Sequence, residues 1–291
     1  MFLLTKIFFL NYTLSSFLSL FGHFLSTKTV AGFHNVKNSL VRPSSSSLLS
    51  SSASTTMLAA STNPKKHTLY DVPVSNNGAR CRLILYKKQI DSSQVEIVSP
   101  TVLEGGLKGS AYTHLNPQQK MPLLTYEEGD DNHSRRVRAI PESDTIARYL
   151  LSIYEDKGPS FLPNHVTSNL LCRFHDTYIS PIQGCLYKAY PPFGSFGTRS
   201  EAIQELKKQL HILDDIIKEE KDHSSSSGIY LLGSEVSLAD ATLFPTMIFI
   251  NYMLPKFGNN NQEEILPKRI HDWFHRIQVQ DADFAKVYQE V

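Results

Sequence analysis

The feature that most limits how this chain can fold is a change of pattern at Glu142. Between Thr68 and Ala139, short runs rich in β-branched and aromatic residues alternate with stretches of helical spacing. After Glu142 no convincing strand follows, and apolar residues recur at helical spacing, as in 146–153 and 203–217. The pattern predicts an α/β layer followed by an all-helical half.

The α/β layer is expected to run as strand, helix, strand and hairpin. The helix is placed at about Ala79 to Lys88, and a polar stretch from Glu127 to Arg135 is expected to form the hairpin turn. The expected strands are Thr68 to Val72, Val95 to Val98, Leu123 to Tyr126 and Arg136 to Ile140.

The first 70 residues differ in composition from the rest, because they hold six Lys or Arg and no Asp or Glu. The apolar run from Phe2 to Leu25 is typical of a signal peptide, with a retained membrane helix as the alternative. The acid-free, serine-rich stretch from Phe33 to Asn63 is typical of a plastid transit peptide. We therefore expect residues 1–65 to be a presequence, disordered or removed, that directs the protein to the plastid. A start at Met57 would give a cytosolic form instead.

Charge and cysteine content exclude several classes of function. The chain has a net charge of +1, and residues 71–291 carry more acidic than basic side chains, which argues against nucleic-acid binding. The three cysteines, Cys81, Cys172 and Cys185, form no Cys-x-x-Cys pair. Neither a disulfide framework nor a metal site is expected from them.

Three local signals indicate chemistry, and each has a structural alternative. Ser75 stands before a helix, where a hydroxyl can help hold an anion such as a thiolate or can merely cap the helix. Met121 and Pro122 open a strand, either through a cis bond that exposes the Met121 backbone or through an ordinary trans proline. Glu142 and Ser143 begin a helix after a strand, as an anion site or as a cap.

In this order, the three motifs resemble those of the glutathione S-transferase family, over about residues 67–290. The similarity is to the zeta-like, serine-type pattern. The segment from Gly228 to Asp240 is similar to the family's helical-domain signature, in which Ser237 and Asp240 form a capping box. The resemblance implies a thioredoxin-like, glutathione-binding domain at 66–156 and an all-α domain at 157–291.

The resemblance also implies roles for the matching residues. Ser75 would donate a hydrogen bond to the sulfur of glutathione and favour its thiolate. The Met121 backbone, next to a cis Pro122, would pair with the cysteinyl part. Glu142 and Ser143 would bind the γ-glutamyl end. The glycyl carboxylate would meet Lys120 or His114.

Other features of the family carry over less completely. Ser75-Asn76-Asn77 stands where the zeta pattern has Ser-Ser-Cys, so the isomerase activity of that class is not expected to carry over. Thiol-transferase chemistry needs a nucleophilic cysteine at position 75, where this chain has serine. An electrophile pocket is expected along a helix from Ser168 to Tyr190, with Tyr178, Cys185 and Tyr190 either lining the pocket or packing in the core. Arg173, His175 and Asp176 on that helix are expected to form a solvated face, with a catalytic charge cluster as the alternative.

The sequence thus predicts a homodimeric detoxification enzyme that joins glutathione to small hydrophobic electrophiles, or reduces them, with no cofactor beyond glutathione as co-substrate. The alternative is a non-catalytic module of the same fold that binds ligands or proteins, since one scaffold can serve both uses.

Overall fold

A computed structural model describes residues 66–128, 136–162, 165–223, 228–257 and 265–291. The expected presequence at 1–65 lies outside these residues, and so does most of the expected hairpin turn. Residues 64–291 belong to one compact unit. Within the described ranges, no helix has both the length and the apolar character needed to cross a membrane.

The first half is built on a four-stranded mixed sheet, as the sequence predicts. The strand order is β2-β1-β3-β4, with β1 parallel to β2 and the other neighbouring pairs antiparallel. Because a parallel pair needs a long crossover, a helix lies between β1 and β2 in the chain. The strands are β1 His67–Tyr70, β2 Val95–Val98, β3 Leu123–Glu128 and β4 Arg136–Pro141.

Three helices belong to this half: α1 Asn76–Lys87, α2 Ser110–Leu115 and α3 Ser143–Ile153. Helix α1 begins three residues before the predicted start at Ala79. Helix α2 lies in a stretch that the sequence predicts only as loop-rich, and its six residues are too few to show a clear helical period. The predicted thioredoxin-like layer is confirmed.

The second half is helical, as predicted. Apart from two isolated bridges, the described residues after Pro141 contain no strand. Its helices are α4 Val166–Phe174, α5 Arg199–His223, α6 Leu238–Met253, α7 Lys268–Gln280 and α8 Ala282–Glu290.

The expected helix from Ser168 to Tyr190 is not one regular helix. After Phe174 the chain makes a π turn at His175–Ile179 and a 3₁₀ segment at Ser180–Leu186. Pro181 explains the break, because proline has no N–H to donate and its ring clashes with the carbonyl four residues earlier. Tyr190 lies beyond the helical segment.

Helix α6 is the centre of the helical half and packs against α1, so it also joins the two halves. Most of its residues are buried, and Phe244 contacts the rings of Trp273, Phe274 and Phe284. The predicted capping box between Ser237 and Asp240 is present at its start.

Candidate functional site

The register of the sheet brings the three sequence motifs to one edge. Tyr70, the last residue of β1, pairs with Leu123, the first residue of β3, and Leu123 pairs with Pro141, the last residue of β4. Neighbouring strands lie about 4.8 Å apart. The Ser75 turn, the Met121-Pro122 step and the Glu142-Ser143 pair therefore converge at this edge.

Ser75 lies immediately before α1 and is half-buried. Its Oγ accepts a hydrogen bond from the Gly78 backbone N–H at 3.0 Å, so Ser75 does cap the helix. This bond uses a lone pair of the oxygen and leaves the hydroxyl hydrogen available to another acceptor. Capping and anion binding are thus compatible uses of Ser75.

A buried ion pair lies under the Ser75 turn. The Asp71 carboxylate accepts a hydrogen bond from Arg82 Nη1, and the same guanidinium donates to the carbonyls of Val72 and Pro73 at 3.1 and 2.6 Å. Arg82 Nε also donates to Glu290 in α8 at 2.9 Å. Arg82 therefore fixes the backbone between β1 and α1 and connects it to the last helix.

Burial raises the pKa of Asp71 to about 6, although the Arg82 charge, a hydrogen bond with the Val72 backbone and the Ser75 hydroxyl act in the opposite direction. Sequence analysis missed both Asp71 and Arg82. An aspartate directly after a short strand, with arginine eleven residues later on a helix, was the signal available.

The Met121–Pro122 peptide bond is cis, one of the two forms considered from the sequence. The carbonyl before it, that of Lys120, accepts hydrogen bonds from the Tyr112 hydroxyl at 2.7 Å and from Asn116 Nδ2 at 2.8 Å. Two side chains therefore hold the backbone leading to Met121. The Lys120 side chain is exposed beside it, and so is His114 on α2.

The Glu142-Ser143 pair begins α3 in an unusual way. Glu142 precedes the helix with φ of 69°, a value that side-chain-bearing residues rarely adopt, and no side chain caps this helix start. Ser143 is buried, and its carbonyl lies 3.7 Å from the Cys81 Sγ of α1. Unlike α1, α3 presents amide groups that no side chain caps.

A second buried arginine links α1 to the helical half. Arg80 is 1% exposed and donates to both carboxylate oxygens of Asp176, at 2.7 and 3.3 Å. His175 is buried beside them, with Nε2 2.8 Å from the Thr246 hydroxyl of α6. The expected solvated face is confirmed for Arg173, which is exposed, and wrong for His175, which is buried; Asp176 is partly exposed and pairs with Arg80. In the sequence, a polar helix face looks the same whether water or a buried arginine lies against it.

The three candidate pocket residues have different surroundings. Cys185 is completely buried, and burial raises the pKa of its thiol to about 11. Tyr178 is 52% exposed and contacts Phe174, whereas Tyr190 is 80% exposed. None of the described contacts joins one of them to another, so the electrophile pocket stays a prediction.

The cysteines differ from nucleophilic thiols. All three are buried and free, and burial raises the pKa of the Cys81 thiol well above its ordinary value and that of Cys172 to about 11. Reactive cysteines have lowered pKa values and accessible sulfur atoms. Within the described residues, no three side chains of the His, Cys, Asp or Glu type are grouped as metal ligands.

Comparisons with known proteins agree with this geometry. Residues 69–159 match the family model described as glutathione S-transferase, N-terminal domain. No curated protein sequence matches the chain. Many solved structures share its fold.

Three of these structures illustrate the likeness, and each aligns with 77% of this chain. Glutathione transferase F2 from Populus trichocarpa is 19% identical, with 97% of its chain covered and a TM-score of 0.56. Glutathione transferase F7 from the same tree is 22% identical, with 98% covered and a TM-score of 0.54. A Tau class glutathione S-transferase from mango, Mangifera indica, is 19% identical, with 92% covered and a TM-score of 0.57. The chain thus has the glutathione transferase fold, and its residues 69–159 are similar to the N-terminal domain of glutathione S-transferases.

Proposed function

We propose that this protein is a glutathione transferase that uses the Ser75 hydroxyl to hold glutathione as its thiolate, for conjugation to small electrophiles or for their reduction. The observation that carries the proposal is the convergence at one sheet edge of Ser75, the cis Met121–Pro122 step and the uncapped start of α3. These elements supply a hydroxyl donor, an exposed stretch of backbone and a set of amide donors.

Ser75 acts on the protonation state of the sulfur. A free thiol has a pKa of about 8.5, so little thiolate is present at neutral pH. Each unit by which the protein lowers this pKa corresponds to about 1.4 kcal/mol of stabilisation of the thiolate relative to the thiol. The hydroxyl hydrogen and the amino-terminal end of α1 both favour a negative charge at this place. The thiolate then attacks the electrophile with its lone pair, and the bond to the leaving group breaks.

The other motifs hold the peptide. The Met121 backbone, positioned through the Lys120 carbonyl, pairs with the cysteinyl part of glutathione. The start of α3, with Glu142 and Ser143, binds the γ-glutamyl end, where uncapped amides suit its α-carboxylate. Lys120, which directly precedes Met121, or His114 meets the glycyl carboxylate, because both side chains are exposed.

The test is to compare Ser75→Ala with Ser237→Ala, a second serine that caps a helix but lies in the helical half. We expect Ser75→Ala to bind glutathione within a few-fold of the parent and to lower kcat by roughly ten-fold or more, because thiolate is lost but the peptide contacts remain. Ser237→Ala should leave the kcat of the folded protein unchanged. Retention on immobilised glutathione and conjugation of a panel of electrophiles supply the two measurements.

Three outcomes would redirect the interpretation. Equal conjugation rates for the parent and Ser75→Ala would reduce Ser75 to a cap. Retention on glutathione without any conjugation would favour a binding module, and no retention would reject glutathione as the ligand. A third variant, Ser75→Cys, should gain disulfide exchange with glutathione and lose conjugation, because a thiol at a helix start has a lowered pKa.

Two further parts of the proposal concern the whole protein. Residues 1–65 direct it to the plastid, and a fusion of this segment to a fluorescent protein should accumulate there, whereas uniform cytosolic fluorescence would reject the targeting role. The protein is a homodimer, as its resemblance to glutathione transferases implies. Light scattering after size-exclusion chromatography measures this state directly.

A further inference from the structure

The carboxyl group of Asp71 lies under the Ser75 turn and has no role in the function proposed above. Its side chain is completely buried. Oδ2 accepts the hydrogen bond from Arg82, whereas Oδ1 has no hydrogen-bond partner among the described residues. A buried carboxylate oxygen without a donor is unfavourable and uncommon, so this atom needs an explanation.

Gly78 explains how Asp71 comes so close to the start of α1. A Cβ at Gly78 would lie 1.8 Å from Asp71 Oδ1 and 2.0 Å from its Cγ, so only glycine leaves room for the carboxyl group. The Gly78 amide is also the donor to Ser75 Oγ. The Asp71 carboxyl and the Ser75 hydroxyl therefore meet at one residue, and the Ser75 hydroxyl is near enough to favour the ionised form of Asp71.

We propose that Asp71 accepts the proton that the glutathione thiol loses, relayed through the Ser75 hydroxyl. The proposal rests on the function assigned above. The S–H bond breaks and its proton joins Ser75 Oγ, while the original hydroxyl proton of Ser75 moves to Asp71 Oδ1. Ser75 is again a hydroxyl, now donating to the thiolate, and Asp71 is a neutral carboxylic acid. No oxidant, reductant or further reactant takes part.

The charges around Asp71 suit this exchange. Arg82 remains paired with Glu290 when Asp71 takes up a proton. Cys81 and Tyr86 of α1 and Tyr112 of α2 also face Asp71, and burial raises the pKa of each above its ordinary value, so these three groups are uncharged at neutral pH. Arg82 is thus the permanent cation next to Asp71, and it stabilises whichever of the two groups is ionised.

The carboxyl and the thiol then share one proton. Asp71, with a pKa of about 6, is mostly ionised at pH 7 and can receive it. The thiolate that forms raises the pKa of the adjacent carboxyl further, because two like charges disfavour each other. Such a pair titrates as a unit, so the relay predicts that thiolate forms without loss of a proton to the solvent.

The experiment measures two quantities when glutathione binds at pH 7: the ultraviolet absorbance of the thiolate and the protons released to the buffer. The wild-type protein should show thiolate absorbance with almost no released proton. One released proton per thiolate in the wild type would overturn the relay alone. Absence of thiolate absorbance would overturn the proposed function and the relay together, so the two failures are distinguishable.

Two variants sharpen the measurement. In Asp71→Asn the acceptor is gone, so any thiolate should appear with one proton released. Glu290→Gln is the matched control, because it changes the other carboxylate on Arg82 and should keep the wild-type proton count. Thiolate without proton release in Asp71→Asn would contradict the relay. If Asp71→Asn does not fold, the wild-type count decides the question by itself.

Discussion

The starts of α1 and α6 have the same local chemistry and different surroundings. Each helix is capped by a serine, Ser75 or Ser237, and each has a buried aspartate beside that serine, Asp71 or Asp240. Ser237 is completely buried and donates its hydroxyl hydrogen to Asp240 at 2.6 Å. Ser75 is half-buried, and its hydroxyl favours the ionised form of Asp71 while Asp71 Oδ1 is left without a hydrogen-bond partner among the described residues.

The two aspartates differ in the same way. Asp240 accepts further hydrogen bonds from the backbone N–H groups of Leu231 and Ser237 and from Trp273 Nε1, at 2.8 to 2.9 Å. Asp71 keeps one oxygen without a donor. Around Asp240 the hydrogen bonds are complete and the capping serine is buried, so this network serves the fold. Around Asp71 one carboxylate oxygen lacks a donor and the capping serine is accessible, so a ligand can still form hydrogen bonds there.

The largest expected effect is the loss of stability when Asp240 is replaced. Asp240→Ala leaves the Trp273 indole and two backbone N–H groups buried without an acceptor, which should lower the free energy of unfolding by about 3 to 5 kcal/mol. The melting temperature should fall by roughly 6 to 20 °C for a chain of this size. Glutathione affinity of the protein that remains folded should be unchanged. Asp272→Ala, at an exposed ion pair on α7, is the control and should change stability by under about 0.5 kcal/mol. Equal melting curves for the two variants would contradict a structural role for the α6 network.

The second expected effect is the pH dependence of the Asp71 contribution to stability. Because the pKa of Asp71 is raised from 3.8 to about 6 by folding, the native state binds this proton more tightly than the unfolded chain does. Its contribution to stability is therefore full below about pH 4 and is lost as the pH rises through 6. The difference in unfolding free energy between wild type and Asp71→Asn should decrease by at most about 3 kcal/mol over this range, and urea titrations measure it. The pKa of Asp176 is lowered, because hydrogen bonds from His175 and Arg80 outweigh the effect of burial. Asp176 is present in both the wild type and Asp71→Asn, so its contribution cancels in the difference between their unfolding free energies. A pH-independent difference would show that Asp71 keeps its charge throughout.

The sequence predicted the fold because its signals are local. Alternation and helical spacing identify strands and helices, and the Ser237-x-x-Asp240 box needs contacts only within one turn. The order of the Ser75, Pro122 and Ser143 motifs carried the family resemblance, whereas their convergence at one sheet edge is seen only in the strand register. Helix α2 and the break at Pro181 were missed because a six-residue helix and one proline give little periodic signal.

Two of the buried ion pairs could not be predicted, because their partners are far apart in the chain. Arg80 meets Asp176 and Arg82 meets Glu290 across 96 and 208 residues. Arginine on a helix is usually exposed, and nothing local distinguishes one that faces a second helix. The role of Gly78 is of the same kind, since only the folded chain shows the Asp71 carboxyl against its Cα.

The third expected effect concerns this glycine. Gly78→Ala adds a methyl group where Asp71 lies and should cost about 2 kcal/mol of stability, although alanine favours a helix more than glycine does. Displacement of the carboxyl should also reduce thiolate formation. Gly197→Ala is the control, because no atom lies within 4 Å of its added Cβ and little change is expected. A Gly78→Ala protein more stable than wild type would mean that the carboxyl moves aside freely.

The smallest effects compare the two serines for stability. Ser75→Ala removes one hydrogen bond to the Gly78 amide, a capping bond worth about 1 kcal/mol. Ser237→Ala removes a capping bond and also a donor to the buried Asp240, so it should cost more, about 2 kcal/mol. For kcat we expect the opposite order, because only Ser75 lies at the sheet edge with Met121. This crossed pattern, in which the variant that is more stable loses more activity, cannot arise from partial unfolding. If Ser75→Ala instead loses as much stability as Ser237→Ala and keeps its kcat, the two helix starts are alike and both serines serve the fold.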